Sequence, residues 1–245
     1  MKKIYRRYGV AMEIALKGIF AFLSLAVINR YIGAMPILQG STVRLVMAVV
    51  CAVVPVNLML LILALTAVAH VYAISMEMAV LLGIILLIMF LFYFRFASGD
   101  GFLLLLVSIL FSWKLPLILA VPAGLLASPF SMVAAGFGAV FYFFMTAIQA
   151  HRGDLELSGA LMDNIQKAGG IAKEVLEDQG MYLYVITFAL TITAVYIIRR
   201  LSFSYSWYAA IVTGTILQIV VMVMGNKSLE ASMYTTGRIV GTSLL

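Results

Sequence analysis

The feature that most constrains this chain is a set of apolar runs longer than any soluble core requires. The run from Met76 to Phe94 contains a single acidic or basic side chain, Glu77. A helix of about 20 apolar residues crosses the ~30 Å hydrocarbon core of a bilayer. No water there can hydrogen-bond an irregular backbone, so the spans must be helices. The sequence therefore predicts an all-α, polytopic transmembrane helical bundle.

Composition supports the same class of protein. The chain has 245 residues, of which 64% are hydrophobic and 11% charged, with a mean hydropathy of +1.13. We therefore predict a single membrane domain over residues 1–245. The net charge is +6, but the basic residues lie at the ends of apolar runs, so we expect no nucleic-acid partner. The one cysteine, Cys51, lies within an apolar run, and we expect no intramolecular disulfide, metal site or cofactor.

Five apolar stretches have the length of ordinary spans. They are Val10 to Gly33, Met76 to Phe96, Ser131 to Ala150, Met181 to Ile198 and Trp207 to Met224. The first follows a basic segment, but it is too long for the apolar part of a signal peptide, so we interpret it as a retained span. The final run, Ile239 to Leu245, is too short to span, which favours a natural chain that continues beyond Leu245.

Two further apolar stretches each contain a proline. Pro55 interrupts Thr42 to Ala73, and Pro116 interrupts Phe102 to Ala127. Proline removes a helix hydrogen bond and disfavours helix in the residue before it, so each stretch is predicted to form two half-length helices. If both re-enter the membrane from one side, the same order of elements occurs twice in opposite orientation. Such an inverted repeat with interrupted helices is typical of transporters.

Basic residues predict the orientation of the chain. Lys2, Lys3, Arg6 and Arg7 place the N-terminus in the cytoplasm, and Arg95 and Arg199-Arg200 follow later spans. If both interrupted stretches return to the side where they begin, all these residues are cytoplasmic and the acidic loop His151 to Gly180 is outside. If exactly one stretch crosses fully, the loop and the arginine pair exchange sides. If both cross fully, the later topology is unchanged.

The acidic loop, residues 153–180, is predicted to be an extramembrane amphipathic helix. Apolar residues recur along it at alternating steps of four and three, which places them on one helix face: Leu161, Ile165, Ala168, Ala172 and Val175. Such a helix lies on the membrane surface, packs on a partner or covers loops of its own bundle.

Three polar residues within or beside these stretches are candidate substrate-binding residues. Asn57 follows the Pro55 break, where freed carbonyl groups require partners or an ion. His70 titrates near neutral pH in water, but a single histidine also commonly bonds to a neighbouring helix. Lys114 lies at the second break, where it could attract an anionic substrate or reach lipid headgroups.

Other charged residues have structural explanations. Glu13 and Lys17 have the spacing of a helical ion pair. Arg30, Arg44 and Arg95 are expected to be interfacial anchors.

Two short segments bear on catalysis and packing. Ser98-Gly99-Asp100-Gly101 resembles the glycine–aspartate element of intramembrane aspartyl peptidases, but no second aspartate lies in a span, so we expect no catalytic residues and no enzyme. Asp100 is instead expected to cap the helix that begins at Phe102. The small residues of Ala134 to Gly138 predict close helix packing, within the chain or with a second copy.

Two segments, Phe94-Arg-Phe-Ala-Ser-Gly-Asp-Gly-Phe-Leu and Val195-Tyr-Ile-Ile-Arg-Arg-Leu-Ser, are similar to an uncharacterised family of bacterial multi-pass membrane proteins. The resemblance implies a bacterial inner-membrane origin and no particular function.

From the architecture we interpret the chain as a transport component, either a small secondary transporter or a permease subunit. The alternative is a non-catalytic assembly or anchoring subunit of an envelope complex. The expected partners are the lipid bilayer and other membrane subunits or a second copy. A polar cavity at Asn57 and Lys114 would favour transport, whereas an apolar interior with an exposed apolar groove would favour the alternative.

Overall fold

The computed structural model describes residues 2–156, 161–202, 204–228 and 243, and every regular element in them is a helix. The predicted all-α class is therefore confirmed. The C-terminal run Ile239 to Leu245 lies outside the described residues, apart from Ser243. In chain order the elements are α1 (Lys2–Tyr31), α2 (Pro36–Gln39), α3 (Ser41–Val53), α4 (Val56–Tyr72), α5 (Met76–Phe96), α6 (Gly101–Ser112), a 3₁₀ helix (Pro116–Leu119), α7 (Ala120–Leu126), α8 (Ser131–Ala150), α9 (Arg152–Glu156), α10 (Leu161–Glu177), α11 (Gln179–Arg199) and α12 (Ser206–Ser228).

The described part of the chain contains five helices long and apolar enough to cross a membrane. They cover Ala11–Tyr31, Met76–Phe96, Ser131–Ala150, Gln179–Arg199 and Ser206–Lys227. These are the five spans predicted from the sequence, with ends that differ by a few residues. The protein is accordingly a multi-pass membrane protein.

Both proline-bearing stretches are broken where the sequence predicts. Pro55 occupies the N-cap of α4, and the preceding Val54 is extended, with φ −80° and ψ 160°. Pro116 begins the 3₁₀ helix that follows α6. With 13 and 12 residues, α3 and α6 are about 20 and 18 Å long. Helix α4 has 17 residues, about 26 Å, which is longer than half a span.

The chain divides into two compact units. The first comprises Met1–Ile88 and Met145–Ile171, and the second comprises Met89–Phe144 and Ala172–Leu245. Helices α5, α8 and α10 contribute residues to both. The single membrane domain predicted from the sequence stays a prediction.

In the first unit, α1 and α3 pack closely through small residues. A Cβ added at Gly18 would lie 3.4 Å from the Cβ atom of Ala52, so the two helix backbones approach without bulky side chains between them. The predicted ion pair on α1 is confirmed, because Lys17 Nζ lies 2.7 Å from Glu13 Oε1.

In the second unit, α11 is held by glycines of two other helices. A Cβ added at Gly124 of α7 would lie 2.7 Å from Val195 Cβ, and one added at Gly214 of α12 would overlap the same valine side chain. The aromatic ring of Phe111 stacks on Tyr142 at 4.8 Å and meets the ring of Tyr184 edge-on. Apolar and aromatic side chains therefore fill this core.

Helices α6 and α8 meet at Gly138. A Cβ at this position would lie 2.6 Å from the carbonyl oxygen of Leu104 and 2.9 Å from Val107 Cβ. The hydroxyl of Ser108 lies 3.1 Å from the Gly138 carbonyl oxygen and can donate to it. The close packing predicted from the small residues Ala134 to Gly138 is thus confirmed within the chain.

The helix predicted in the acidic loop is present as α10. Of its predicted apolar face, Ala168, Ala172 and Val175 are buried. Ile165 is 49% exposed, and Ile171 is buried instead. Leu161, the first residue of the predicted face, lies outside the residues whose side chains are described. Among the other members of that face, the buried ones begin at Ala168.

Replacing Gly138 by alanine is expected to destabilise the protein. The new Cβ would meet the backbone of α6, which cannot move without separating the two helices, and such overpacking costs about 1–3 kcal/mol. Gly136→Ala is the matched control in the same helix, because its Cβ would make an ordinary 3.6 Å contact with Val185 Cγ1. Thermal unfolding in detergent should show a lower Tm for G138A only. Equal Tm values for both variants would contradict the close contact.

Candidate functional site

His70 lies in the last turn of α4 and is fully buried. The backbone N–H of Met35 donates a hydrogen bond to its Nδ1 atom over 3.2 Å. Because that N–H can only donate, Nδ1 carries a lone pair, and the ring hydrogen of the imidazole is on Nε2. Among the described residues Nε2 has no hydrogen-bond partner. His70 therefore joins the segment after α1 to α4. Its Nε2–H is a buried donor, and leaving such a donor without a protein, ligand or water partner destabilises the folded state.

Further polar contacts surround the loop after α1. Asn29 Nδ2 donates to the carbonyl oxygen of Leu38 over 3.2 Å, and Arg152 Nη1 donates to that of Ile32 over 3.0 Å. The start of α9 therefore lies at the end of α1.

Glu77 ties the start of α5 to the acidic loop. Its carboxylate accepts from Ser75 Oγ over 2.8 Å and from Asn164 Nδ2 over 3.4 Å. The first turn of α5 is thus anchored by residues just before it and by α10.

These contacts show how the first interrupted stretch runs. A single crossing by α3 and α4 would place their outer ends about 30 Å apart. The bond between Met35 and His70 instead joins the loop before α3 to the end of α4. The stretch therefore returns to the side where it begins.

The second interrupted stretch also returns. Ser131 Oγ donates to Asp100 Oδ2 over 2.7 Å, so the start of α8 lies beside the start of α6. The rings of Phe96 and Phe130 stack at 6.2 Å on the same side. Asp100 does occupy the N-cap of α6, but its carboxylate makes no cap bond. The prediction that the Asp100 side chain caps α6 is therefore wrong. Its carboxylate accepts a hydrogen bond from the Ser131 hydroxyl instead.

The end of α11 joins this side of the second unit. Arg199 Nη2 donates to the carbonyl oxygen of Ala127, the residue after α7, over 3.1 Å. Arg199-Arg200 and Arg95 therefore lie on one side, because Arg95 is in the last turn of α5, beside Phe96. The alternative in which exactly one interrupted stretch crosses fully is excluded.

Asn57 lies in the first turn of α4 and is partly buried. It is 13 positions before His70, about 20 Å along the helix axis. The two candidate residues of the first unit therefore do not form one site.

Lys114 lies in the second unit, at the turn after α6. Its backbone is left-handed, with φ 63°. The Leu115 N–H donates to the Leu110 carbonyl over 2.8 Å and the Lys114 N–H to the Phe111 carbonyl over 2.9 Å. These two bonds form a Schellman motif, whose left-handed position is usually glycine. A lysine there costs about 1–2 kcal/mol in backbone strain.

The Lys114 side chain is exposed, at a level within the length of helix α8. Helices α6 and α8 run in the same direction, and Phe111 stacks on Tyr142. Helix α8 continues to Ala150, so Lys114 lies about 8 Å short of the level at which α8 ends. The adjacent Trp113 is also exposed. A charge at this depth either faces a water-filled cavity or extends to the headgroups.

Two polar residues in the middle of α11 and α12 are buried without having been predicted as site residues. Gln218 is 1% exposed and Thr191 is fully buried, and neither Gln218 Oε1 nor Thr191 Oγ1 has a hydrogen-bond partner among the described residues. A Cβ at Gly214 would lie 3.8 Å from Thr191 Cγ2, and Gln218 is one turn further along the same face of α12. The sequence does distinguish Gln218, because it is the one amide side chain in the run Trp207 to Met224.

An apolar groove lies between α1 and α3 in the first unit. Its volume is about 450 Å³. The α1 side is lined by Ile14, Ala15, Gly18, Ile19, Phe22 and Leu23, and the α3 side by Leu45, Ala48, Val49, Ala52 and Val53.

These features define a polytopic α-helical membrane protein with interrupted helices and isolated buried polar groups. The described residues contain no group of three or more His, Cys, Asp or Glu side chains that could hold a metal ion. No protein-family model matches the chain, and neither a curated protein nor a solved structure shows significant similarity to it. The roles of Asn57, His70 and Lys114 stay predictions.

Replacing Lys114 by glycine is expected to stabilise the protein relative to Lys114→Ala. Both changes remove the charge, but only glycine removes the Cβ that strains a left-handed residue. The expected difference in the free energy of unfolding is about 1 kcal/mol, read as a higher Tm for K114G. An alanine variant as stable as the glycine variant would show that this residue is not left-handed.

Proposed function

We propose that the protein is a transport component of the bacterial inner membrane, either a small secondary transporter or a permease subunit, without catalytic activity. The observation that carries this proposal is the pair of interrupted helical stretches, each of which returns to the side where it begins. A break within a membrane helix exposes carbonyl and N–H groups that must be satisfied. In transporters such groups hold ions and substrates.

Polar side chains in the second unit support the same proposal. Lys114 is an exposed cation at the break after α6, and Gln218 and Thr191 carry buried atoms with no protein partner among the described residues. Buried polar atoms without protein partners commonly bind water, ions or ligands. Lys114 would attract an anionic substrate, and Gln218 and Thr191 would offer oxygen atoms to an ion or solute.

The proposed orientation places the N-terminus in the cytoplasm and the loop between α8 and α11 outside. The shared side of Arg95 and Arg199-Arg200 supports it, because basic residues concentrate on the cytoplasmic side.

Single cysteines at Lys173 and Arg200, each in a Cys51→Ala background, test this orientation. Both side chains are exposed, and the buried Cys51 is the natural cysteine that must be removed. A membrane-impermeant maleimide should label Lys173→Cys in intact cells and Arg200→Cys only after the membrane is opened. The opposite pattern would invert the topology.

Ligand-dependent stability tests the transport proposal. Purified protein would be heated with a panel of inorganic ions, carboxylates, amino acids and sugars, since a ligand that binds the folded state raises Tm. We expect at least one solute to do so. If that solute is an anion, Lys114→Gln should weaken its effect and Lys114→Arg should weaken it less. Lys227→Gln, at an exposed lysine in the last turn of α12, is the matched control.

The active solute should also cross proteoliposome membranes that contain the wild-type protein. A panel without any stabilising solute, together with normal stability of both Lys114 variants, would contradict the transport proposal.

One observation favours the alternative of an assembly or anchoring subunit. The groove between α1 and α3 is lined by apolar side chains and small residues, the surface against which a membrane helix of a partner packs. A protein of fixed stoichiometry that stays bound during purification from native membranes, and is lost on Ala15→Phe, would support that function.

A further inference from the structure

The groove between α1 and α3 is elongated along the two helices. It follows α3 from Leu45 to Val53, which is about 12 Å along the helix axis. Its volume of about 450 Å³ lies within the range of about 300–1,000 Å³ that is typical of ligand sites. All its lining residues are apolar or glycine, so the part of a ligand that enters it must be apolar as well.

A cationic group lies at one end of this groove. Arg44 immediately precedes the lining residue Leu45, and its Cζ atom lies 5.4 Å from the ring centroid of Phe22, which also lines the groove. Arg44 Nε has no hydrogen-bond partner, and none of the ion pairs in the described part of the chain involves Arg44. Stacking on Phe22 therefore holds the guanidinium at the groove without a carboxylate to neutralise it.

The first turn of α3 adds donors at the same end. Gly40 is the N-cap and provides no side-chain cap bond, and the first turn contains no acidic residue. Ser41 and Thr42 are exposed there. The N–H groups of a helix N-terminus favour anions, and a guanidinium adjacent to them strengthens that preference.

We propose that this site binds an anionic phospholipid of the surrounding bilayer. One acyl chain would lie in the groove, and the phosphate would contact Arg44 and the first turn of α3. A phospholipid fits this site because its apolar acyl chain is attached to an anionic headgroup. When the chain occupies the groove, the phosphate can reach Arg44 at the end of the groove. A transmembrane helix of a partner would fill the groove but would leave Arg44 without an anion.

Binding can be measured on the delipidated, full-length protein by native mass spectrometry and by the shift in Tm. Phosphatidylglycerol should bind and stabilise the wild-type protein more strongly than phosphatidylcholine with the same acyl chains. Arg44→Gln should weaken phosphatidylglycerol binding about tenfold, which is the lower range for a hydrogen bond to a charged group. Arg30→Gln is the control for non-specific attraction, because Arg30 is an exposed arginine near the end of α1.

A second pair of variants tests whether the acyl chain lies in the groove. Ala15→Phe would fill the groove from an exposed lining position, whereas Ala11→Phe lies one turn earlier on α1 and does not line it. We expect A15F alone to weaken lipid binding, with a normal Tm in the absence of lipid. If A15F fails to fold, the Arg44 and Arg30 pair decides the question.

Four results would overturn the proposal. The first is equal binding of phosphatidylglycerol and phosphatidylcholine, and the second is unchanged lipid binding in R44Q. The third is binding of glycerol phosphate as tight as that of the lipid, since the groove would then contribute nothing. Loss of a second copy or another subunit from A15F, with lipid binding intact, would also overturn it and assign the groove to a protein helix. None of these measurements depends on transport.

Discussion

The structure depends on the satisfaction of backbone hydrogen bonds where no water is present. Each proline break frees carbonyl and N–H groups, and each needs a partner in the protein or in a ligand or water bound at the break. At the second break the Schellman bonds of Lys114 and Leu115 close the end of α6. At the first break, the Pro55 carbonyl accepts a hydrogen bond from the Met59 N–H, so α4 begins directly after the break. Short helices at membrane depth are possible because the chain restarts within a few residues of each break.

Glycine determines how closely the helices of the second unit approach. Gly138 brings α8 against the backbone of α6, and Gly124 and Gly214 bring α7 and α12 against Val195 of α11. Hydrophobic burial contributes little to helix association in lipid, so such contacts hold the bundle together through van der Waals packing. Gln218 and Thr191 belong to the same α11–α12 contact, where their side-chain oxygen atoms are buried.

The sequence predicted those features that depend on neighbours along the chain. The five spans follow from the length of apolar runs, the two breaks from proline chemistry, and the Glu13–Lys17 pair from helical spacing. The sequence did not predict contacts between segments that are distant along the chain. The Ser131 hydroxyl that binds Asp100 is 31 positions away, and nothing local favours it over a cap. The same holds for the Met35–His70 bond and for the exposure of Ile165, which depends on what covers α10.

The return of each interrupted stretch to its own side has a consequence for membrane insertion. A segment that enters and leaves on the same side adds no net translocation, so the helices after it keep the orientation they would have without it. The basic residues that flank the long helices can then direct insertion independently of the two interrupted stretches. Evolution could lengthen, shorten or replace the α3–α4 and α6–α7 pairs while every long helix kept its direction across the bilayer.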